Sequence, residues 1–273
     1  MNKLKSKPII FVIGFYIVCW IFRVIEYFIL RTDQTIIGEA FIHKVIGIIL
    51  LMLVGYKLRD IGFIADKFLR DIGKGLLLGI GVFILAYGVE MIISDSPVLS
   101  VHVTSYAITG NRDLQSGFML FIFCIAGNII NVIMEEGVFR GLFCKLMGEK
   151  HSFALACILS SVLFGVWHIA QPIRNVIDGE QSPMGAFMSC ILLVVTSTLL
   201  GIQYCMLNDI TGSIWAGMAA HFVNNTTINL LHVVTQTGAD ELQTVRISIA
   251  QTVSFVIVLV LFIINKRHKK SSV

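Results

Sequence analysis

The feature that most constrains this chain is the repetition of long apolar runs along its length. A helix needs about 20 mostly apolar residues to cross a membrane. Eight segments approximately meet that requirement: 8–30, 36–56, 75–93, 117–147, 153–170, 184–206, 213–234 and 249–265. With 56% hydrophobic and 14% charged residues, the 273-residue chain is too apolar for a soluble domain. The sequence therefore predicts an all-α fold, a polytopic membrane helix bundle with about eight transmembrane helices.

The predicted loops differ in their content of Lys and Arg. If the N-terminus lies inside, most basic residues, including those at both termini, fall on the inner side, as the positive-inside rule requires. This pattern predicts a multi-pass protein of the cell membrane with both termini cytoplasmic and with loop 57–75 lying along the interface. Orientation in the lipid bilayer accounts for the net charge of +4, so no nucleic-acid partner is predicted. No internal repeat is visible, and residues 1–273 are predicted to form one membrane-embedded domain.

One of these apolar segments carries charges. The stretch NIINVIMEEGVFRG, residues 128–141, contains two adjacent carboxylates and an arginine inside a run that is otherwise suited to lipid. On a helix, Asn128, Asn131 and Glu135 share one polar face, while Glu136 and Arg140 form an i,i+4 pair on a neighbouring face. Ionisable groups inside a membrane are costly unless they are paired or hydrated, which makes a functional site the default hypothesis.

Two later segments carry polar residues that could meet Glu135. His168 lies on a stripe of small residues that would let a neighbouring helix approach closely. His221, Asn225 and Asn229 recur at steps of four and form a polar ridge on one helix face. At ~1.5 Å rise per residue, Glu135, His168, His221 and Asn225 all lie roughly 14 to 25 Å from the inner ends of their helices. One shared pocket in the middle of the membrane is therefore geometrically possible.

A pocket of this composition suits hydrolysis. A carboxylate and an imidazole, here Glu135 and His168, can hold a water molecule and remove its proton, giving a nucleophile that attacks a carbonyl. A second imidazole and a carboxamide, here His221 and Asn225, can donate hydrogen bonds to the oxyanion that forms. No Ser or Cys lies beside a base in the sequence, so an acyl-enzyme is not predicted.

Other intramembrane charges are not predicted to form the site: Arg23 and Glu26 are predicted to be a structural pair, and the isolated ones could face a water-filled cavity or approach the interface. Arg23 and Glu26 are three residues apart and could neutralise each other locally. His43, Lys44 and Glu90 are isolated in their segments and are not predicted to belong to the site.

Three motifs together resemble one family. EEGVFR (135–140), FGVWH (164–168) and HFVNN (221–225) are similar to the motifs of the CPBP intramembrane endopeptidases. That family groups type II CAAX prenyl proteases with bacterial relatives linked to bacteriocin processing or self-immunity, formerly called Abi proteins. The resemblance covers the predicted catalytic core at about 117–234.

The resemblance implies that Glu135 and His168 activate water, that His221 and Asn225 stabilise the oxyanion, and that Glu136 and Arg140 support the site. It implies no bound cofactor or metal. If zinc were present, Glu135, His168 and His221 would be its ligands. The expected partner is a peptide or membrane-protein substrate, while its identity and the oligomeric state are left open.

Two other functions remain open at this point. Buried Glu and His residues also mark proton pathways, so a proton-coupled transporter or channel is the main alternative. The chain lacks the repeats that many transporters have. A non-catalytic family member that acts as an immunity or scaffold protein by binding is the third hypothesis.

Overall fold

The structure is a computed structural model that describes residues 7–32, 40–103, 118–235 and 240–271. The positive-inside pattern places Lys3 and Lys5 on the inner side of the membrane and Arg112 on the outer side, and all three lie outside these ranges. The elements are α1 Pro8–Val24, continued by a π-helical segment Ile25–Leu30, α2 Ile42–Leu53, 3-10 turns Leu58–Ile61 and Ala65–Lys67, α3 Phe68–Ile93, β1 Val98–Val101, α4 Phe118–Glu135, a π-helical segment Glu136–Phe143, α5 Cys144–Gly148, α6 Phe153–Trp167, α7 Ala170–Ile177, α8 Pro183–Thr211, α9 Trp215–Leu230, β2 Leu231–Val234 and α10 Gln243–Ser271.

The predicted all-α membrane bundle is confirmed. Each of the eight predicted segments contains a helix. Within the described part of the chain, six helices are long and apolar enough to cross a membrane by length and composition. The other two predicted segments contain shorter helices, α2 with 12 residues and α9 with 16. The predicted spans 36–56 and 213–234 are therefore longer than the helices that the structure contains there.

A small sheet, which the sequence analysis did not predict, ends the seventh segment. β2 pairs antiparallel with β1, with Val98 opposite Val234 and Val101 opposite Leu231. The β-branched valines on both strands favour this pairing. Its position at the end of α9 explains why the apolar run to residue 234 does not continue as a helix.

The loop at the opposite end of the bundle supports the charged helix. Ile61, in predicted loop 57–75, is only 3% exposed. A Cβ added at Gly141 would lie 2.9 Å from its carbonyl oxygen. α3 also begins at Phe68, earlier than the predicted residue 75. Part of the loop therefore belongs to the packed core, because the glycines of the π segment let its backbone approach closely.

Small residues bring α6 and α8 together, as the sequence predicted. A Cβ at Gly165 would collide with Thr198 and would lie 2.5 Å from the carbonyl oxygen of Val194. A Cβ at Gly201 would lie 2.8 Å from the side chain of Ser161. This close approach fixes the helix that leads to His168.

The predicted direct pairing of Arg23 with Glu26 is wrong. Glu26 accepts hydrogen bonds from the backbone N–H groups of Ile42, at 2.8 Å, and His43, at 2.6 Å. Its carboxylate also lies 2.6 Å from Nδ1 of the His43 ring. The first N–H groups of a helix have no partner within the helix, so Glu26 satisfies the start of α2. On the other edge of the His43 ring, Nε2 lies 3.4 Å from Nη1 of the Arg23 guanidinium.

A second cluster of charges closes the end of the bundle that carries the sheet. Arg246 of α10 is 1% exposed and pairs with Glu90 of α3 and with Asp240. Asp240 also lies 3.0 Å from the ring of His232. The His232 ring stacks on His102, with ring centroids 4.1 Å apart. These contacts join α3, α10 and the strand ends.

Acidification is expected to loosen the β1–β2 sheet. Burial, with the charge of His232 adding to it, holds the pKa of His102 below its ordinary value of 6.5. When β1 and β2 separate, His102 regains its ordinary pKa and takes up a proton at a pH where it stays neutral in the paired sheet. The stability that His102 contributes to the sheet is therefore present above about pH 6.5 and is lost below it. Asp240 has its own lowered pKa and titrates below 3.8, outside this window.

Hydrogen-exchange protection of the backbone amides of β1 and β2 measures this effect between pH 7.5 and 5. Protection should fall with pH in the wild type and stay nearly constant in His102→Phe, which keeps a stacking ring without a titratable group. Equal pH dependence in the two proteins would assign the effect to another group.

Candidate active site

The charged stretch forms the centre of the bundle, and a change of helix type shapes it. α4 ends at Glu135, and the π segment begins at Glu136. π-helical turns inside α-helices are frequent at functional sites because the extra residue re-aims the side chains. Glu135 is 2% exposed and Glu136 is fully buried. Both carboxylates lie inside protein within a helix that is apolar enough to cross a membrane.

Glu135 and Glu136 approach the same imidazole. Oε1 of Glu136 lies 2.9 Å from Nδ1 of His221, and Oε2 of Glu135 lies 3.6 Å from Nε2 of that ring. Asn131 donates a hydrogen bond of 2.9 Å to Oε2 of Glu135, which confirms the predicted polar face. Oε1 of Glu135 has no hydrogen-bond partner among the described residues. That oxygen is therefore free to accept a hydrogen bond from a small polar molecule.

Arg140 lies behind Glu136, as the predicted i,i+4 pair. Its Nη1 lies 3.4 Å from Oε1 of Glu136, and both side chains are fully buried. The guanidinium carbon lies 3.9 Å from the ring centroid of Phe164 and 5.4 Å from that of Tyr204. The Tyr204 ring also stacks on His221, with centroids 5.1 Å apart. Arg140 thus supplies a buried positive charge next to Glu136 and is held there by aromatic faces.

His168 lies at a break between two helices. α6 ends at Trp167, and His168 forms its C-terminal cap. Nδ1 of His168 lies 2.9 Å from the carbonyl oxygen of Phe164. A carbonyl can only accept, so this bond places a proton on Nδ1 and leaves Nε2 as the acceptor in the neutral ring. The last turn of α6 therefore sets the tautomer that a base requires.

The structure brings His168 near the other predicted site residues. The ring of Phe164 lies edge-on to both imidazoles, 4.8 Å from the centroid of His168 and 5.9 Å from that of His221. His168 is partly exposed, whereas Glu135 and His221 are buried. It makes no direct hydrogen bond to Glu135 in the described structure.

The predicted polar ridge of α9 faces α4, with one exception. His221 contacts the two glutamates, and the Asn229 amide lies 3.5 Å from Oδ1 of Asn128, at the long limit for a hydrogen bond. Asn225 is partly exposed, and its Oδ1 accepts a hydrogen bond of 3.1 Å from its neighbour Asn224. No hydrogen bond joins Asn225 to Glu135 or His168 in the described chain.

Sequence reasoning left out the N-terminal helices, which reach the site. Arg23 is 5% exposed, and its guanidinium carbon lies 4.5 Å from the ring centroid of Trp167, the residue before His168. The rarity of charges inside apolar segments was the available signal. It did not reveal which charges converge, because α1, α2 and α4 are far apart in the chain.

Glu135, His168 and His221 are the residues that would bind zinc if a metal were present. Within the described ranges, no group of three or more His, Cys, Asp or Glu side chains is placed to hold a metal ion. Nδ1 of His168 lies against the carbonyl oxygen of Phe164 and Nδ1 of His221 against Glu136, so Nε2 is the nitrogen that each ring could offer to a ligand. The alternative zinc set of Glu135, His168 and His221 stays a prediction.

The fold and these contacts define a class of protein: a multi-pass α-helical membrane protein with a buried site of two carboxylates and two imidazoles. Comparison with known families gives the particular assignment. Residues 117–227, somewhat less than half of the chain, match the family described as Type II CAAX prenyl endopeptidase Rce1-like. This match is consistent with a CPBP family protein, the family that the three motifs resemble. No curated protein and no solved structure matches the chain.

The matched family is one of membrane proteases that act on peptide or protein substrates, so the match supports this general class of activity. The matched region contains every predicted site residue: Glu135, Glu136, Arg140, His168, His221 and Asn225. Arg23 and Lys44 lie outside it.

Proposed function

We propose that this protein is an intramembrane endopeptidase that hydrolyses a peptide bond of a membrane-associated peptide or protein by direct attack of water. The observation that carries the proposal is the position of Glu135. Its Oε2 is held by Asn131 and lies 3.6 Å from His221, while no described residue hydrogen-bonds to Oε1. A buried carboxylate with one oxygen fixed and the other free is suited to hold and deprotonate a single water.

In this mechanism Glu135 acts as the general base. The water proton passes to Glu135 as the water oxygen attacks the carbonyl carbon of the substrate, and the carbonyl oxygen becomes the oxyanion. When the tetrahedral intermediate collapses, the C–N bond breaks and the proton moves from Glu135 to the leaving amine nitrogen. His168 orients the same water through Nε2, the nitrogen that its bond to Phe164 leaves as an acceptor.

His221 and Asn225 are assigned to the oxyanion. Glu136 fixes the His221 ring through Nδ1, so Nε2 of the protonated ring can donate a hydrogen bond. The Asn225 carbonyl is occupied by Asn224, which leaves its N–H groups as donors. Donors of this kind stabilise charge that develops only in the transition state, where each can contribute a factor of about 10² to 10³ in rate. Glu136 and Arg140 support this arrangement without contacting the substrate.

For the substrate, only a chemical class is proposed. The site lies among helices that are long and apolar enough to cross a membrane, which favours a substrate chain that is embedded in or anchored to lipid. The name of the matched family suggests a C-terminal prenylated peptide as one candidate. A bacteriocin leader, a peptide pheromone or a membrane protein are the other candidates.

A reconstitution experiment tests the proposal. The full chain in liposomes is mixed with lipid-anchored peptides, with and without a prenyl group, and new peptide ends are identified by mass spectrometry. Wild type should cleave, and His168→Ala should be at least about a hundredfold slower because one of the two groups that hold the water is lost.

His151→Ala, a histidine outside the site, is the matched control and should cleave like the wild type. Proton flux across the same liposomes that depends on Glu135, without any cleavage, would support the transporter alternative instead. An immunity phenotype that survives Glu135→Ala would support a binding role.

A further inference from the structure

A second polar cluster lies beside the proposed active site, on the far side of α9. A cavity between α3, α8, α9 and α10 is lined by apolar residues and by four polar ones: Gln203, Asn224, Gln251 and Ser254. Amides and hydroxyls among apolar helices require hydrogen-bond partners, because unpaired polar groups are costly there. The four residues form two separate pairs with different consequences.

One pair is self-contained. Gln203 of α8 donates a hydrogen bond of 2.8 Å to the Ser254 hydroxyl of α10. Gln203 is next to Tyr204 in the chain, but neither member of this pair bonds to the proposed catalytic residues. This hydrogen bond joins α8 to α10.

The other pair continues to Asn225. Nε2 of Gln251 donates a hydrogen bond of 3.1 Å to Oδ1 of Asn224, and Nδ2 of Asn224 donates one of 3.1 Å to Oδ1 of Asn225. Asn224, the middle residue of this relay, is 9% exposed, whereas Gln251 and Asn225 are partly exposed. Gln251 lies in α10, outside the matched residues 117–227.

The direction of these bonds determines what Asn225 presents to a substrate. A carboxamide has an acceptor side and a donor side, and rotation by about 180° exchanges them. While Asn224 donates to Oδ1 of Asn225, only N–H groups of Asn225 remain for a ligand. If the relay ran the other way, Asn225 would present a carbonyl oxygen, which repels an oxyanion.

We propose that Gln251 is a positioning residue for the proposed hydrolysis: by donating to Asn224, it holds the Asn225 carboxamide with its N–H groups toward the oxyanion. The inference rests on the proposed function of Asn225. It extends the functional unit beyond the matched family region to the last helix.

Kinetics of variants test this role. Gln251→Leu removes the donor and should lower kcat about ten- to a hundredfold with little change in KM, because the oxyanion forms only after binding. Gln203→Leu removes an equivalent amide from the same cavity and should leave kcat within about twofold of wild type. Equal losses in the two variants, or no loss in Gln251→Leu, would overturn the inference.

A Gln251→Glu variant separates positioning from packing. The side chain has nearly the same shape, but an ionised carboxyl can only accept, so Asn224 and Asn225 should both turn over and kcat should fall at least as far as in Gln251→Leu. When the introduced carboxyl is protonated it can donate again. Its kcat relative to wild type should therefore recover as the pH is lowered, an effect that lost packing would not produce.

A double-mutant cycle links the effect to Asn225. If Gln251 acts only through that residue, Gln251→Leu should cause no further loss in an Asn225→Ala background. Full additivity would contradict the relay. The wild-type protein distinguishes failure of the proposed function from failure of the role assigned to Gln251. If the wild type does not cleave peptides, the proposed function is refuted. If the wild type cleaves and Gln251→Leu cleaves equally well, only the role of Gln251 is refuted.

Discussion

Glu135→Gln is expected to reduce peptide cleavage by at least about a thousandfold while the protein stays folded. Loss of a general base costs a factor of about 10² to 10⁴ in rate, and an amide cannot take the proton of the attacking water. The replacement keeps the shape of the side chain, and its carbonyl can still accept the 2.9 Å hydrogen bond from Asn131. Stability should therefore change little.

Initial rates in liposomes and thermal unfolding in detergent measure the two parts of this prediction. Glu180→Gln, which neutralises an exposed carboxylate, is the matched control and should be unchanged in both. A Glu135→Gln protein that cleaves at the wild-type rate would remove Glu135 from the mechanism.

Glu136 is the less suitable base, although it is equally buried. Its Oε1 is engaged by Nδ1 of His221 at 2.9 Å and lies 3.4 Å from the Arg140 guanidinium. Its other oxygen, Oε2, also has no hydrogen-bond partner among the described residues, but this atom is fully buried, so water does not reach it in this arrangement. Glu136→Gln should therefore lower activity through the orientation of His221.

Arg140→Met is expected to destabilise the protein by about 3 to 5 kcal/mol, the usual cost of leaving one member of a buried ion pair alone. Both Arg140 and Glu136 have fully buried side chains, so water cannot replace the missing charge without opening the core. The variant also loses the contact of the guanidinium with the Phe164 ring, at 3.9 Å. Unfolding in detergent measures the decrease in the free energy of unfolding. The rate of peptide cleavage should also decrease, because Glu136 no longer fixes the His221 ring.

Combining Arg140→Met with Glu136→Gln separates stability from activity. Replacing both members of a buried pair with neutral groups is often neutral for stability. The double variant should recover most of the free energy of unfolding, whereas cleavage should stay low. If the double variant is as unstable as the sum of the two single variants, the two charges do not stabilise each other.

Much of the architecture could be predicted from the sequence because it depends on local properties. Hydropathy over about 20 residues located a helix in each of the eight predicted segments. Helical spacing placed Asn131 and Glu135 on one face, where they hydrogen-bond. The small residues near His168 predicted the close approach of α8, since the absence of side-chain atoms is visible in the sequence itself.

The lengths of α2 and α9 could not be predicted in this way. Hydropathy does not distinguish a membrane span from a shorter helix that is buried by its neighbours. The strand at Leu231–Val234 depends on its pairing partner at Val98–Val101, more than a hundred residues earlier in the chain.

The tertiary structure alone decided how the charges are distributed. The π segment at Glu136 has no periodic signature in the sequence, yet it accompanies the approach of both glutamates to His221. Glu26 bonds to the start of α2 instead of to Arg23, because unpaired backbone N–H groups there need an acceptor. Arg23 reaches Trp167, and Gln251 reaches Asn224, across distances that no local pattern encodes. Sequence determined which residues are polar inside the membrane, and packing determined which of them meet.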